Sequence, residues 1–171
     1  MYLMVSSFAK KSLGQNFLKS EKALKDIVSS GSINDGEVII EIGPGQGALT
    51  DHLLIEVKKH KNSKLVCVEK DDRLIPILSE KYKVEIEHGF LTLIHGDIIE
   101  LFTQGQFSKL TSNTPYKIIA NIPYYITGLI LRNIFSETVL PKKVVLLVQK
   151  EVANRIMSYG EHGETTDTAN E

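Results

Sequence analysis

At 171 residues, with 42% apolar and 24% charged side chains, the chain has the length and composition of one soluble globular domain. A formal net charge of −1 is not that of a uniformly basic nucleic-acid binder, the single cysteine, Cys67, excludes an internal disulfide and fits a reducing, cytoplasmic setting, and no apolar run reaches membrane-spanning length. The charge is unevenly spread. Lys10, Lys11, Lys19, Lys22 and Lys25 face only Glu21 near the start, whereas the last eleven residues carry Glu161, Glu164, Asp167 and Glu171 with no lysine or arginine. The five histidines show no metal-ligand spacing, so no metal is expected.

In chain order, Met1 to Val5 is too short for a secretory signal, and residues 1–19 read as a basic arm able to contact phosphate. A core follows over residues 20–157. Ser20 can cap a helix with Leu24, Ile27 and Val28 on one face, stopped by Gly31, and Asn34-Asp35-Gly36 signals a turn. Val38 to Ile42 is a buried first strand, followed at once by Gly43-Pro44-Gly45-Gln46-Gly47 and a helix with Leu49, Leu53, Leu54 and Val57 inward. Lys64 to Val68 is a second strand ending at Glu69, and Pro76 suits the first turn of a helix running to about Lys81. Leu91 to His95 is a third strand, closed by Gly96-Asp97. Gln104 to Tyr116 is polar and rich in turn residues, with a marginal short helix around Leu101.

Lys117 to Ala120 is a fourth strand that ends in Asn121-Ile122-Pro123-Tyr124, after which Thr127 is expected to cap a helix carrying Leu129, Ile130, Ile134 and Phe135. Val144 to Val148 is the fifth strand, and Gln149-Lys150-Glu151 opens a helix through Arg155 to Met157. Residues 158–171 are polar, without periodicity, and expected to be disordered. Five apolar runs alternating with helices predict a Rossmann-like α/β fold with a doubly wound, mostly parallel sheet.

In such sheets ligands bind outside the carboxyl ends of the strands. The glycine-rich turn allows close backbone approach, Glu69 can accept from both hydroxyls of a ribose, and Asp97 can accept from an adenine amine. Together they offer one adenosine site. The turn also satisfies the loose G-x-G-x-x-A pattern of dinucleotide enzymes, which makes an NAD-dependent oxidoreductase the rival reading. Glu41, two residues before the glycines, would repel a pyrophosphate; it can instead attract the ammonium of a methionine or organise the loop. S-adenosylmethionine (SAM) is the favoured cofactor. At the fourth strand end, the Asn121 side-chain oxygen and the Ile122 carbonyl can accept both hydrogens of an amine on a flat base, with Tyr124 stacked on the ring.

The blocks Gln15-Asn16-Phe17-Leu18, Glu41-Ile42-Gly43-Pro44-Gly45-Gln46-Gly47, Gly96-Asp97, Asn121-Ile122-Pro123-Tyr124-Tyr125-Ile126 and Gln149-Lys150-Glu151-Val152-Ala153 occur in that order. Through them the chain, from about Lys10 to Met157, resembles the KsgA family of ribosomal-RNA adenine dimethyltransferases, whose near relatives are the erythromycin-resistance methylases. The resemblance implies that Asn16, Leu18, Gly43, Glu69, Asp97 and Asn121 contact SAM or line its pocket. It implies that Asn121 and Tyr124 handle the target adenine, with Phe17 a second stacking face. It further implies action on small-subunit ribosomal RNA or an immature small subunit, by a monomer. Family members continue with a glycine-rich loop, two more strands and a small helical domain, which here are expected to be lacking. The fifth strand is therefore expected to have an unpaired far edge, an aggregation hazard. A large-subunit ribosomal-RNA methylase and a non-catalytic remnant that binds SAM or RNA stand as alternatives.

Overall fold

A computed structural model describes residues 4–6, 20–112, 114–122, 126–149, 151, 153 and 154. Six strands, β1 (Met4–Ser6), β2 (Val38–Ile42), β3 (Lys64–Glu69), β4 (Leu91–His95), β5 (Tyr116–Asn121) and β6 (Lys143–Gln149), form one sheet in the order β1-β6-β5-β2-β3-β4. Every pairing is parallel. The central strands β2 and β5 read as continuous apolar runs because both of their faces are covered.

Successive side chains alternate between two cores. Ile39, Leu65, Cys67, Ile119 and Val145 pack under α1 (Glu21–Gly31), α2 (Ala48–Val57) and α3 (Ile75–Lys81). Ile40, Val66, Ile118, Ala120 and Leu146 face α5 (Ile98–Thr103) and α7 (Thr127–Ser136). Two further short helices are α4 (Lys83–Glu87) and α6 (Ser108–Thr111). Ser20 caps α1 by accepting from the Ala23 N–H, as its position predicts. Gly31 is the last helical residue, and the left-handed turn falls one residue later, on Ser32 at φ 47°. Close packing explains the glycine: a Cβ there would lie 2.4 Å from Ile119 Cδ1.

Four expectations are corrected. The far edge of β6 is not bare: β1 pairs with it in the register Met4↔Leu147, Val5↔Val148 and Ser6↔Gln149. An apolar strand edge has a row of backbone donors and acceptors to satisfy, and three residues of chain suffice for its carboxyl half. Thr127 is the first helical residue of α7, not its cap; Ile126 holds that position, and the Thr127 side chain is buried. That helix buries Thr127, Ile130, Leu131 and Ile134, while Leu129 and Phe135 are exposed, so its inward stripe is rotated from the one expected. The Gln104–Tyr116 stretch carries α6 and is anchored by aromatic packing. Phe102 stacks on Phe107 at 4.2 Å, and Phe107 meets Tyr116 edge-on at 5.7 Å.

At the amino ends of the strands, Lys117 is buried and pairs with buried Glu37 at 2.6 Å, while also donating to the Ser32 carbonyl. Burial alone would push the Glu37 carboxyl up, but the Lys117 ammonium, the Asn34 N–H and Lys142 hold it below its ordinary value. This satisfied pair lets a lysine stand in an otherwise apolar strand. Asn16, Leu18, Phe17, Tyr124, residues 155–157 and the 158–171 tail all fall outside the described residues. No helix among the described residues is long and apolar enough to cross a membrane.

Candidate functional site

The strand order reverses between β2 and β5, so their carboxyl ends open a crevice. The chain leaves β2 through Gly43 at φ 68° and Gly45 at φ 59°, then enters α2 from Gly47 at φ 86°. Three left-handed residues within five explain the glycines, since a Cβ disfavours that region. The loop is tied to its neighbours: Gly43 N–H donates to the Val68 carbonyl at 2.9 Å, and Gly47 N–H to the Pro44 carbonyl at 2.9 Å.

Glu69, at the end of β3, is buried and holds the loop from the adjacent strand. Its Oε2 accepts from the Gly45 N–H at 3.0 Å and its Oε1 from the Asp71 N–H at 2.8 Å. Each oxygen retains lone-pair capacity for a further donor. Gly96 N–H donates to the Glu69 carbonyl at 2.9 Å, so the β3–β4 ladder runs to the strand ends and carries Asp97 alongside. Asp97 caps α5 through Oδ1, which accepts from the Ile99 N–H at 2.8 Å, and its Oδ2 lies 2.7 Å from Lys70 Nζ. The Lys70 ammonium lowers the Asp97 carboxyl, opposed by partial burial and helped by the cap bond.

Gly43, Glu69 and Asp97 line one cavity of about 460 Å³ whose walls are largely apolar: Ile42, Val68, Ile98, Ile122 and Ile126, with Lys70 at its margin. The sequence reading expected Gly43, Glu69 and Asp97 to converge, and all three line this cavity. Asn121 ends β5, in register with Leu147, and is half-buried. Ile122, the next residue, buries its side chain and lines the cavity, which brings the Asn121–Ile122 segment to the same crevice.

Glu41 links β2 to the first turn of α2 and to β3. Its buried Oε2 accepts from Thr50 Oγ1 at 2.7 Å and from Cys67 Sγ at 3.3 Å. Burial raises its carboxyl to about 7 despite those two bonds. Burial and the adjacent Glu41 push the Cys67 thiol up, so it is an inert core thiol, as its strand position suggests. Sequence reading missed Lys70, Lys81, Thr50 and Tyr82. Lys70 had a signal, since it directly follows Glu69; the other three act across distances that local patterning does not register.

The ribosomal RNA adenine dimethylase family model matches residues 6–169. The chain is 39% identical over 150 residues to the ribosomal RNA small subunit methyltransferase A of Dehalococcoides mccartyi, covering 88% of this chain and 48% of that protein. The protein of the same name from Clostridium botulinum is 41% identical over 147 residues, covering 85% and 49%. The chain thus spans about half the length of the curated relatives it matches. Among solved structures, the 23S rRNA methyltransferase ErmE superposes with a TM-score of 0.63 at 20% identity, covering 82% of this chain and 51% of that one. The precorrin-6y C5,15-methyltransferase of Geobacter metallireducens superposes at 0.61 and 12% identity, covering 96% and 80%. These two likenesses establish the fold alone. The family follows from the sequence matches: the chain belongs to the ribosomal RNA adenine dimethylases.

Proposed function

We propose that the protein is a SAM-dependent methyltransferase that dimethylates adenine N6 in small-subunit ribosomal RNA. It would act as a cytoplasmic monomer on that RNA or on immature small subunits, as a step in ribosome biogenesis. The observation that carries the reading is the convergence of Gly43, Glu69 and Asp97 on one cavity beside Asn121–Ile122, in a chain of this family. The residues present fit the cofactor. Two carboxylates with apolar walls suit ribose hydroxyls, an adenine amine and an adenine ring. An acid at the position of Glu69 would serve the ribose of either cofactor, whereas Asp97 has no part in the dinucleotide pattern and weighs against a dinucleotide.

Bound there, SAM supplies an electrophilic methyl on a sulfonium sulfur. Glu69 accepts from the ribose hydroxyls, Asp97 from the cofactor's adenine amine, and Gly43 gives the backbone its close approach. The family resemblance would add Asn16 and Leu18 to the cofactor's contacts. The chain's work on the substrate is to hold a target adenine amine, a poor nucleophile because its lone pair is delocalised into the ring. The Asn121 side-chain oxygen and the Ile122 carbonyl accept the two amine hydrogens, favouring a pyramidal nitrogen whose lone pair is free to react. The proton leaves readily once that nitrogen carries positive charge, so no strong general base is required beforehand. Tyr124 stacks on a base rotated out of the RNA, as enzymes that modify bases require.

The test compares Asn121→Ala with wild type, each fused to the carboxyl-terminal half of the Clostridium botulinum relative, by mass spectrometry of ribosomal-RNA nucleosides. The variant should bind S-adenosylhomocysteine (SAH) within about tenfold of wild type yet methylate about a hundredfold more slowly, the scale of losing a transition-state hydrogen-bond partner. Equal losses in binding and turnover would make Asn121 a cofactor ligand first.

A further inference from the structure

A cluster on the back of the glycine loop takes no part in the chemistry above. The Tyr82 hydroxyl lies 2.9 Å from the Gly47 carbonyl and 2.7 Å from Asp51 Oδ1. Lys81 Nζ lies 2.8 Å from Asp51 Oδ2 and 3.3 Å from the Gln46 carbonyl. Tyr82 and Lys81 come from the end of α3, 35 residues beyond the loop atoms they touch, and Asp51 stands in the first turn of α2. The contact is direct: a Cβ on Gly47 would lie 2.1 Å from the Tyr82 oxygen. A phenol has one proton and here meets two acceptors. The nearer, charged Asp51 carboxylate is the stronger acceptor, and the Gly47 carbonyl takes the longer arm of a forked bond, while Lys81 holds Asp51 from its other oxygen.

We propose that Tyr82, seconded by Lys81, is a positioning residue for the cofactor-binding glycine loop, clamping its Gln46 and Gly47 carbonyls from behind while Glu69 holds Gly45 from the front. The proposal rests on the reading of the cavity as a SAM site. Its physical basis is entropic. Three left-handed glycines give the loop wide freedom when nothing restrains it, and any freedom present before binding is lost on binding. Glu69 restrains one residue of the loop through a backbone N–H. The Tyr82–Asp51–Lys81 cluster restrains the next two through their carbonyls. A purely structural tyrosine would act through its ring, which Tyr82→Phe retains; the positioning role lies in the hydroxyl, which it removes.

The experiment uses the 171-residue chain, Tyr82→Phe and Lys81→Met. Amide hydrogen exchange is measured without ligand, SAH affinity by calorimetry, and thermal midpoint by circular dichroism. In Tyr82→Phe, exchange at Gly45 and Gly47 should rise about fivefold or more while β3 and β5 amides keep their protection. SAH should bind about three- to tenfold more weakly, the range of one lost neutral hydrogen bond. Lys81→Met should shift both readouts in the same direction by less. Exchange that is unchanged at the loop, or raised uniformly across the sheet, overturns the proposal. So does an unchanged SAH affinity in Tyr82→Phe beside a wild type that binds. A wild-type chain that fails to bind SAH refutes the cofactor reading itself, and is distinguished from failure of the clamp by that control.

Discussion

Glu69→Ala should damage the free protein and its ligand binding through two separable sets of bonds. In the free chain the carboxylate accepts from the Gly45 and Asp71 N–H groups at 3.0 and 2.8 Å. A hydrogen bond to a charged partner is worth about 1.5–3 kcal/mol net, so two intact bonds set a ceiling of about 3–6 kcal/mol. Asp71 lines the open cavity and Gly45 is only partly buried, so water can replace the carboxylate at both freed N–H groups. We therefore expect a loss nearer 1–3 kcal/mol in urea unfolding. Binding loses the acceptors for the ribose hydroxyls as well as the restraint on the loop. Calorimetric affinity for SAH should fall about 10- to 100-fold, or about 1.4–2.8 kcal/mol. Glu69→Gln keeps one acceptor but turns an NH₂ group toward a backbone N–H, so it should recover little of either loss. A variant that unfolds and binds SAH like wild type would refute both the restraint on the loop and the ribose assignment.

Two further outcomes test neighbouring residues. Burial raises the Glu41 carboxyl from 4.5 to about 7, and a raised acid binds more protons folded than unfolded, so stability should fall as pH rises across that interval and level off above it. At about 1.4 kcal/mol per pH unit the fall is about 3 kcal/mol. Glu41→Gln, whose amide oxygen can still accept from Thr50 and Cys67, should flatten this dependence and exceed wild type in stability at pH 8; an unchanged pH profile in urea melts would show that Glu41 titrates normally. Asp97→Ser retains a capping oxygen for α5 and should stay within about 0.5 kcal/mol of wild-type stability, whereas Asp97→Ala should lose about 1 kcal/mol; both should weaken SAH binding, and retained affinity in Asp97→Ser would remove Asp97 from the adenine site.

The sheet was legible because its central strands are buried on both faces. Val38–Ile42, Lys64–Glu69 and Leu91–His95 stand out as apolar runs, each closed by a glycine or an acid, and α2 has the inward Leu49, Leu53, Leu54 and Val57 its spacing requires. The polar residues at the strand ends were legible for the same reason, since parallel topology brings successive carboxyl ends together. What escaped depends on partners distant in sequence. Three residues of β1 have no periodicity to detect, and only the bare edge of β6 makes them a strand. Phe107 and Tyr116 look like members of a polar loop until Phe102 stacks on Phe107 and Phe107 meets Tyr116 edge-on. Lys117 in a core strand is intelligible only with Glu37 opposite. Tyr82 has no local mark of function; the turn of α3 that delivers it to Gly47 is a tertiary fact.

The central claim is that SAM sits at the carboxyl ends of β2, β3 and β4. The most direct measurement is a titration of the 171-residue chain with SAH, and separately with NAD, while backbone amide shifts are followed by NMR. The account predicts saturable shifts with SAH concentrated at Gly43, Gly45, Asp71, Gly96 and Asp97, and none with NAD at the same concentrations. A second hollow, lined by Val38, Val66, Ile94 and Lys109, opens beneath the amino ends of the same strands and provides the internal contrast. Shifts centred on that hollow, a preference for NAD, or no saturable response to SAH would contradict the account.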